Sequence, residues 1–331
     1  MNTTETLATY SVVLTYSAMA VYVVAFIAFA LDMAKRAGNV AAAGQPAAAP
    51  SAQAKTVASV RGGTVVLERV DTPSGDGPSR SGTRFERVGM AMTILALVLH
   101  VAADVLRGVA AGRVPWGNMF EFSLTGTALI IAIFLLVQFW QNLKFLGVFI
   151  TGLVIILLGI ATVNYYVPVV PLPPALQSYW LVLHVFVAIA GTGFFALGAG
   201  LAVSQLVQTY RQGRPGMAGK LRFMETLPDA DRLEVLSYRV ILVGFVLWTF
   251  TLIAGAVWAE RAWGRYWGWD TKEVWTFIIW VVYAGYIHAR ATRGWRGARS
   301  SWLALIGFGA VMFNFSVVNV FFKGLHSYSG L

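Results

Sequence analysis

Apolar runs and short polar connections alternate along almost the whole chain. Eight runs stand out, approximately Tyr10–Leu31, Val88–Leu106, Phe120–Trp140, Phe145–Val163, Trp180–Gln208, Val240–Ala259, Val274–His288 and Ser301–Phe322. Most approach the roughly 20 residues that a helix needs to cross a hydrocarbon core of about 30 Å. The pattern predicts an all-α, polytopic membrane protein with about eight transmembrane helices, the short seventh one borrowing residues from the connection before it. One connection carries no apolar period: AAAGQPAAAPSAQA at residues 41–54 has nothing to bury. The expected organisation is therefore a first transmembrane helix at 1–35, a flexible linker at 36–87 and a membrane domain at 88–331. In the connection Tyr210–Arg239, Pro228 and Asp229 predict a short amphipathic helix lying on the membrane surface. No inverted repeat is visible, which argues against a secondary transporter.

Composition narrows the chemistry. With 57% hydrophobic and 12% charged residues the chain has too little polar surface for a soluble enzyme or a disordered protein. It has no cysteine, which excludes a disulfide, a thiolate nucleophile and Cys-ligated zinc or iron–sulfur centres. Any thiol chemistry must come from another molecule. The net charge of +10 could suggest nucleic acid, but its distribution points elsewhere. Of the 25 basic residues, 19 follow spans one, three, five and seven: eight, one, six and four in turn. The other side holds Arg107, Arg113, Arg261, Arg265, Lys272 and Lys323. The positive-inside rule then makes the richer side cytoplasmic and puts both termini outside, so the charge orients the spans and nucleic-acid binding is not expected. The first span lacks a preceding positive charge and is followed by Lys35 and Arg36, as expected of a retained, N-out helix.

Four histidines remain. His184 and His326 fall near the expected outer face, His100 and His288 inside spans. Intramembrane histidines commonly bond neighbouring helices, but two imidazoles at one level can also ligate a metal or the iron of haem. His100 and His288 do not meet that condition: their expected depths differ by about 10 to 17 Å. His100 is expected to bond between helices, with Asp104 one turn away as a candidate partner. The densest chemical signal is WAERAWGRYWGWDTKEVW at 258–275, with Trp258, Trp263, Trp267, Trp269 and Trp275. An interfacial aromatic belt would use some of these. Five indoles interleaved with Gly264 and Gly268 and followed by Asp270 and Glu273 suit a platform for a flat ligand better.

These residues carry a resemblance. WGRYWGWDTKEVW and WVVYAGYIHAR (280–290) resemble the tryptophan-rich WWD signature of the CcsA (ResC-type) family of cytochrome c maturation proteins and its relatives CcmC and CcmF. GRVPWGNMFEF (112–122), SYWLVLHV (178–185) and FKGLHSYSG (322–330) are similar to three further segments of the CcsA type. Arg113 departs from the pattern, standing where the family often has His. The resemblance implies haem b as ligand and transported substrate, with His184 and His326 as two outer axial ligands to its iron. His288 would be the intramembrane ligand, and Trp267, Gly268, Trp269 and Asp270 the surface holding the haem edge, with Trp263 beside them. Arg261, Arg265 and Lys272 are candidate partners for the haem propionates, because they flank the aromatic platform; ordinary interfacial cations are the other reading.

The implied function is cytochrome c biogenesis at the cell membrane. Haem would be held on the extracytoplasmic face for thioether ligation to an apocytochrome c CxxCH segment, in a complex with a CcsB (ResB-type) subunit. That partner would supply the second ligand to the His288 haem, and thiol-reducing proteins would act indirectly. Two alternatives stay open: a CcmC-like carrier that loads a chaperone without attachment, and a transmembrane b-type electron carrier.

Overall fold

The computed structural model describes residues 3–43, 83–172, 177–214, 216, 221–292 and 294–326. Residues 44–82, the greater part of the expected linker, lie outside that set. The described residues form eight long helices: α1 (Thr3–Ala43), α2 (Arg84–Ala111), α3 (Met119–Val137), α4 (Gly147–Asn164), α5 (Tyr179–Gln212), α6 (Ala230–Trp263), α7 (Thr271–Ala291) and α8 (Ala298–Phe313). A π-helical turn, Asn314–Val318, and a last helical turn to Phe321 extend α8. No strand occurs among the described residues. Seven helices are long and apolar enough to cross a membrane; α7 is not among them, although its 21 residues run beyond the short apolar stretch on both sides.

Polar side chains set the helix starts. Thr83, Asn118, Ser178, Asp229 and Asp270 each accept a backbone N–H from the first turn of the helix they precede. Asp229 corrects one expectation. Instead of opening a separate surface helix it caps α6 itself, a 34-residue helix whose first turns bury Leu233, Glu234, Leu236 and Ser237 in the bundle. The buried face that carries Leu233, Leu236 and Val240 continues into the span, so nothing stops the helix at the membrane surface.

The helices run alternately up and down. Ser11 at the start of α1 donates to the Ala103 carbonyl near the end of α2 (2.7 Å), while Thr83 at the other end bonds Asp32. Gln208 late in α5 reaches the Pro228 carbonyl ahead of α6 (3.3 Å). One apolar core joins α1–α4 with parts of α5 and α6; a second joins α5–α8. The α5–α6 seam is close because a Cβ on Gly191 would lie 3.4 Å from the Gly244 carbonyl oxygen, and one on Gly244 would lie 2.9 Å from the Phe195 ring. Small residues allow such close approach where no hydrophobic force from water drives helices together. The result gathers the ends of α2, α4, α6 and α8 with the starts of α3, α5 and α7 at one end, the tryptophan end.

His100 is fully buried between α1 and α3. Its Nδ1 lies 3.3 Å from the Tyr22 hydroxyl, while Asp104 instead accepts from Thr125 on α3 (2.9 Å). The interhelical role expected of His100 stands, with Tyr22 rather than Asp104 as partner.

Candidate functional site

His184 occupies the second turn of α5, its ring stacked on Trp258 of α6 with centroids 5.9 Å apart and planes at 13°. Nδ1 is 3.0 Å from the Thr251 carbonyl oxygen, which assigns the proton to Nδ1 and leaves the Nε2 lone pair free. The ring fits because residue 255 is glycine: a Cβ there would stand 2.7 Å from its Cε1.

His326 arrives from the other direction, five residues past the last turn after α8. It meets Trp258 (5.4 Å, 64°) and Trp263 (4.8 Å, 74°) edge to face. Trp258, only 1% exposed, therefore touches both imidazoles. The Nδ1 of His326 is 3.1 Å from Asp270 Oδ1, again leaving Nε2 as the free nitrogen.

Asp270 organises this corner. Its Oδ1 also accepts the Lys272 N–H (2.9 Å) and Oδ2 accepts the Leu325 N–H (2.8 Å), while Glu273 completes the capping box through the Asp270 N–H (3.1 Å). Burial opposes ionisation of Asp270, but His326 and the N–H groups of Lys272 and Leu325 hold its pKa at about 2, below the ordinary 3.8. An ionised carboxylate behind an imidazole orients the ring and raises its basicity toward a metal.

Both histidines line one cavity, partly open to the exterior. Its walls include Trp116, Trp248, Trp258, Tyr266 and Trp267, and its polar groups include Asn118, Lys272, Asn314 and Asn319. A smaller apolar space continues from it between α3, α5 and α8, sharing Phe122, Thr192 and Phe315. A large apolar cleft with a few convergent polar groups is the usual form of a cofactor site. Haem fits the donor set: two imidazoles with free Nε2 atoms, aromatic walls for a flat macrocycle, and cationic and amide donors for carboxylates.

The other expected residues are placed as follows. Trp267 lines the cavity, whereas Trp269 is 75% exposed and has φ 59°. Gly268 has a different role from the one expected: the Arg265 side chain lies over its Cα, so the missing Cβ makes room for a guanidinium rather than a flat ligand. Arg265 sits over Trp263 and 3.5 Å from Glu273; Arg261 is exposed and 3.5 Å from Glu260. Neither lines the cavity, and Lys272 does. His288 stands exposed near the far end of α7, and α7 packs on α6 and α8 rather than on α1 or α2. It is thus brought together neither with His100 nor with the cavity.

Reading the sequence missed Asn118, Trp116, Gly255, Asn314 and Asn319. Asn118 had a legible signal, an Asn followed three residues later by Glu121 ahead of an apolar run. Asn314 and Asn319 were legible as polar residues inside an apolar span. It also missed Glu121, which is fully buried and accepts from Arg107 (3.0 Å), Arg113 (2.7 Å) and the Gly117 N–H (2.9 Å). Arg113, the position that departs from the resemblance, thereby helps fix the Trp116–Asn118 wall.

An all-α membrane bundle with paired histidines under a tryptophan-rich connection defines a class, and comparison with known proteins agrees. The model of the family described as "Cytochrome C assembly protein" matches residues 116–326, the stretch that contains the cavity, and the chain belongs to that family. Among its relatives is a "Cytochrome c biogenesis protein CcsA" of Guillardia theta, 36% identical over 261 residues that cover 74% of this chain and 86% of the relative. Proteins of the same description from Synechococcus elongatus (35%; 72% and 86% covered) and Trieres chinensis (32%; 74% and 87%) are similar over the same extent.

Proposed function

We propose that this multi-pass membrane protein, which has a role in cytochrome c maturation, binds haem b in the cavity between His184 and His326 and holds it for attachment to apocytochrome c. One observation carries the reading: two imidazoles from separate segments share a cavity, each with Nδ1 anchored and Nε2 free. When bound, haem supplies the vinyl groups to which the two thiols of an apocytochrome CxxCH segment add. That division agrees with a chain that contains no cysteine of its own.

The protein's part is positional and electrostatic. Thr251 and Asp270 fix the imidazole tautomers, and Trp258 holds the two rings in relation to each other. With haem bound, His184 and His326 would hold its iron and limit the access of oxygen to it. The incoming segment's histidine would replace one of them, and His326 is the better candidate because it sits on the chain's C-terminal segment rather than within a helix. The excess of basic residues at the opposite end supports an extracytoplasmic position for the tryptophan end. His288, exposed near that opposite end, suits a haem ligand whose opposing imidazole comes from a CcsB-type subunit in the same membrane.

The test is coexpression of this chain and that subunit with an apocytochrome reporter, together with absorption spectra of the purified complex. His184→Ala and His326→Ala should each abolish holocytochrome formation and perturb the haem spectrum. Normal yield with either variant would reject the axial assignment. Formation of covalent cytochrome only when a separate haem chaperone is added would make the chain a carrier instead.

A further inference from the structure

Three donors on residues that line the cavity are left over by the protein's own hydrogen bonding. Asn118 is the first. Its Oδ1 caps α3 by accepting the Glu121 N–H (2.9 Å), which dictates where the amide nitrogen points, and Nδ2 is buried without a partner. The residue is 4% exposed. Trp116, two residues earlier, has a buried indole Nε1 that is likewise unpartnered. Lys272 is the third. Its ammonium donates to two neutral oxygens, the Asn314 carbonyl (3.0 Å) and Asn319 Oδ1 (2.6 Å), which accounts for two of its three N–H bonds. The nearby Asp270 carboxylate already serves His326, Leu325 and the Lys272 backbone.

Asn319 links the lysine to the segment that carries Asn118 and Trp116. Asn319 bonds Lys272 through its oxygen and approaches Met119 Sδ through its nitrogen (3.7 Å), which brings the start of α3 within one side chain of the lysine. The Asn314 carbonyl is available to Lys272 at the π-helical turn, where the regular α-helical ladder is interrupted. Burial disfavours the charged form of Lys272 and lowers its pKa to about 7 against the attraction of Asp270, so an anion beside it would stabilise the ammonium, and the unpaired N–H groups are complementary to the same anion.

Resting on the haem reading above, we propose that Lys272, Asn118 and Trp116 form a carboxylate-binding corner of the cavity that takes one haem propionate. The propionates are the only anionic substituents of the porphyrin, and the proposed function puts the iron in this same cavity. Arg261 and Arg265, which look equivalent in the sequence, do not line it: Arg261 pairs with Glu260, and Arg265 pairs with Glu273, a carboxylate at the cavity wall that its guanidinium partly neutralises.

The purified full-length chain would be titrated with haem and with haem dimethyl ester, whose propionates carry no charge. The unaltered chain should bind haem at least about ten-fold more tightly than the diester, about the size of one charge-assisted hydrogen bond. Lys272→Met should weaken haem by a similar factor and leave the diester unchanged. Asn118→Asp keeps the cap oxygen on α3 while replacing the donor with an acceptor, and should do the same; it decides the matter alone if the lysine variant does not fold. Equal affinity of the unaltered chain for both ligands, or an equal loss for both in the variants, would overturn the corner while leaving His184 and His326 as ligands. Loss of binding of an apocytochrome peptide, with haem affinity unaffected, would show that the corner reads a polypeptide carboxylate and overturn the propionate assignment. Absence of haem binding by the unaltered chain would instead overturn the proposed function and the corner with it.

Discussion

At the end of the bundle away from the tryptophans, Glu234 is 5% exposed and accepts from the Ser300 hydroxyl (3.0 Å) and the Gly297 N–H (2.9 Å), with Arg290 at 3.3 Å. Glu86 there is held by Arg36 and by Lys144 at 3.2 Å. At the tryptophan end the cavity wall keeps Asn118 Nδ2, Trp116 Nε1 and Asn314 Oδ1 buried without partners. An unpaired buried polar group costs about 1–3 kcal/mol. The far end has such atoms too, Gln205 Oε1 and Gln208 Oε1 among them, but they border neither cavity described above, whereas Asn118, Trp116 and Asn314 line the larger one, and in that the two ends differ. One pins helix termini, and the other keeps hydrogen-bonding capacity in reserve for a molecule that is not part of the chain. Glu121 marks the boundary: it lies at the tryptophan end but has three donors of its own, and it holds the loop that carries the unpartnered groups.

Glu121→Ala should therefore have the largest effect of any change near the site. It strands Arg107, which is fully buried, so unfolding stability should fall by about 3–5 kcal/mol. Thermal unfolding of the purified protein checks this; a loss below about 1 kcal/mol would mean that water reaches Arg107 and that this network belongs with the open end rather than the pinned one. Asp270→Asn comes next. Asparagine still caps α7, but the ionised partner of His326 is gone, and loss of such a partner typically costs 10–100-fold in metal affinity. Haem titration should show a drop of about that size with the fold intact; unchanged affinity would show that His326 needs no orienting group.

The contrast between the ends was only partly legible in the sequence. Blocks of about 20 apolar residues gave the bundle, because spanning a hydrocarbon core leaves few alternatives to a helix. The helix limits were less legible. Asp229 reads equally well as the cap of a short surface helix or of α6, and only the burial of Leu233 and Leu236 against other helices decides between them. For the site, His184, His326 and the tryptophan connection stood out because they recur as a recognisable set. The distribution of cations did not: Arg261, Arg265 and Lys272 fall within 12 residues, and which one faces the cavity depends on the turn that ends α6 and the cap that starts α7. Gly255 was invisible for a similar reason, since its missing Cβ matters only through a ring on another helix.

Gly255→Ala sharpens the comparison at smaller amplitude. In a helix interior this change ordinarily gains up to about 1 kcal/mol. Here the new methyl would press on the His184 ring, and displacing a side chain from its preferred rotamer costs about 0.5–1.5 kcal/mol. The protein should unfold at nearly its original temperature while its haem absorption shifts and affinity falls several-fold. An unaltered spectrum would show that the ring has room to move, as a group merely filling space would.

Trp269 carries the smallest expected effect on the fold. Its φ of 59° lies in the left-handed region, which costs a bulky residue about 1–2 kcal/mol, and its side chain is 75% exposed, so little burial offsets that cost. Trp267 beside it faces the cavity and Trp269 does not, although the two rings meet edge to face at 5.9 Å. Under the proposed function, an exposed indole kept at this cost would serve to meet the incoming polypeptide. Trp269→Gly should raise unfolding stability by about 1 kcal/mol and lower holocytochrome yield several-fold. A fall in stability would show that the indole is held by the protein itself, and would move Trp269 from the part of this end built for partners to the part built for packing.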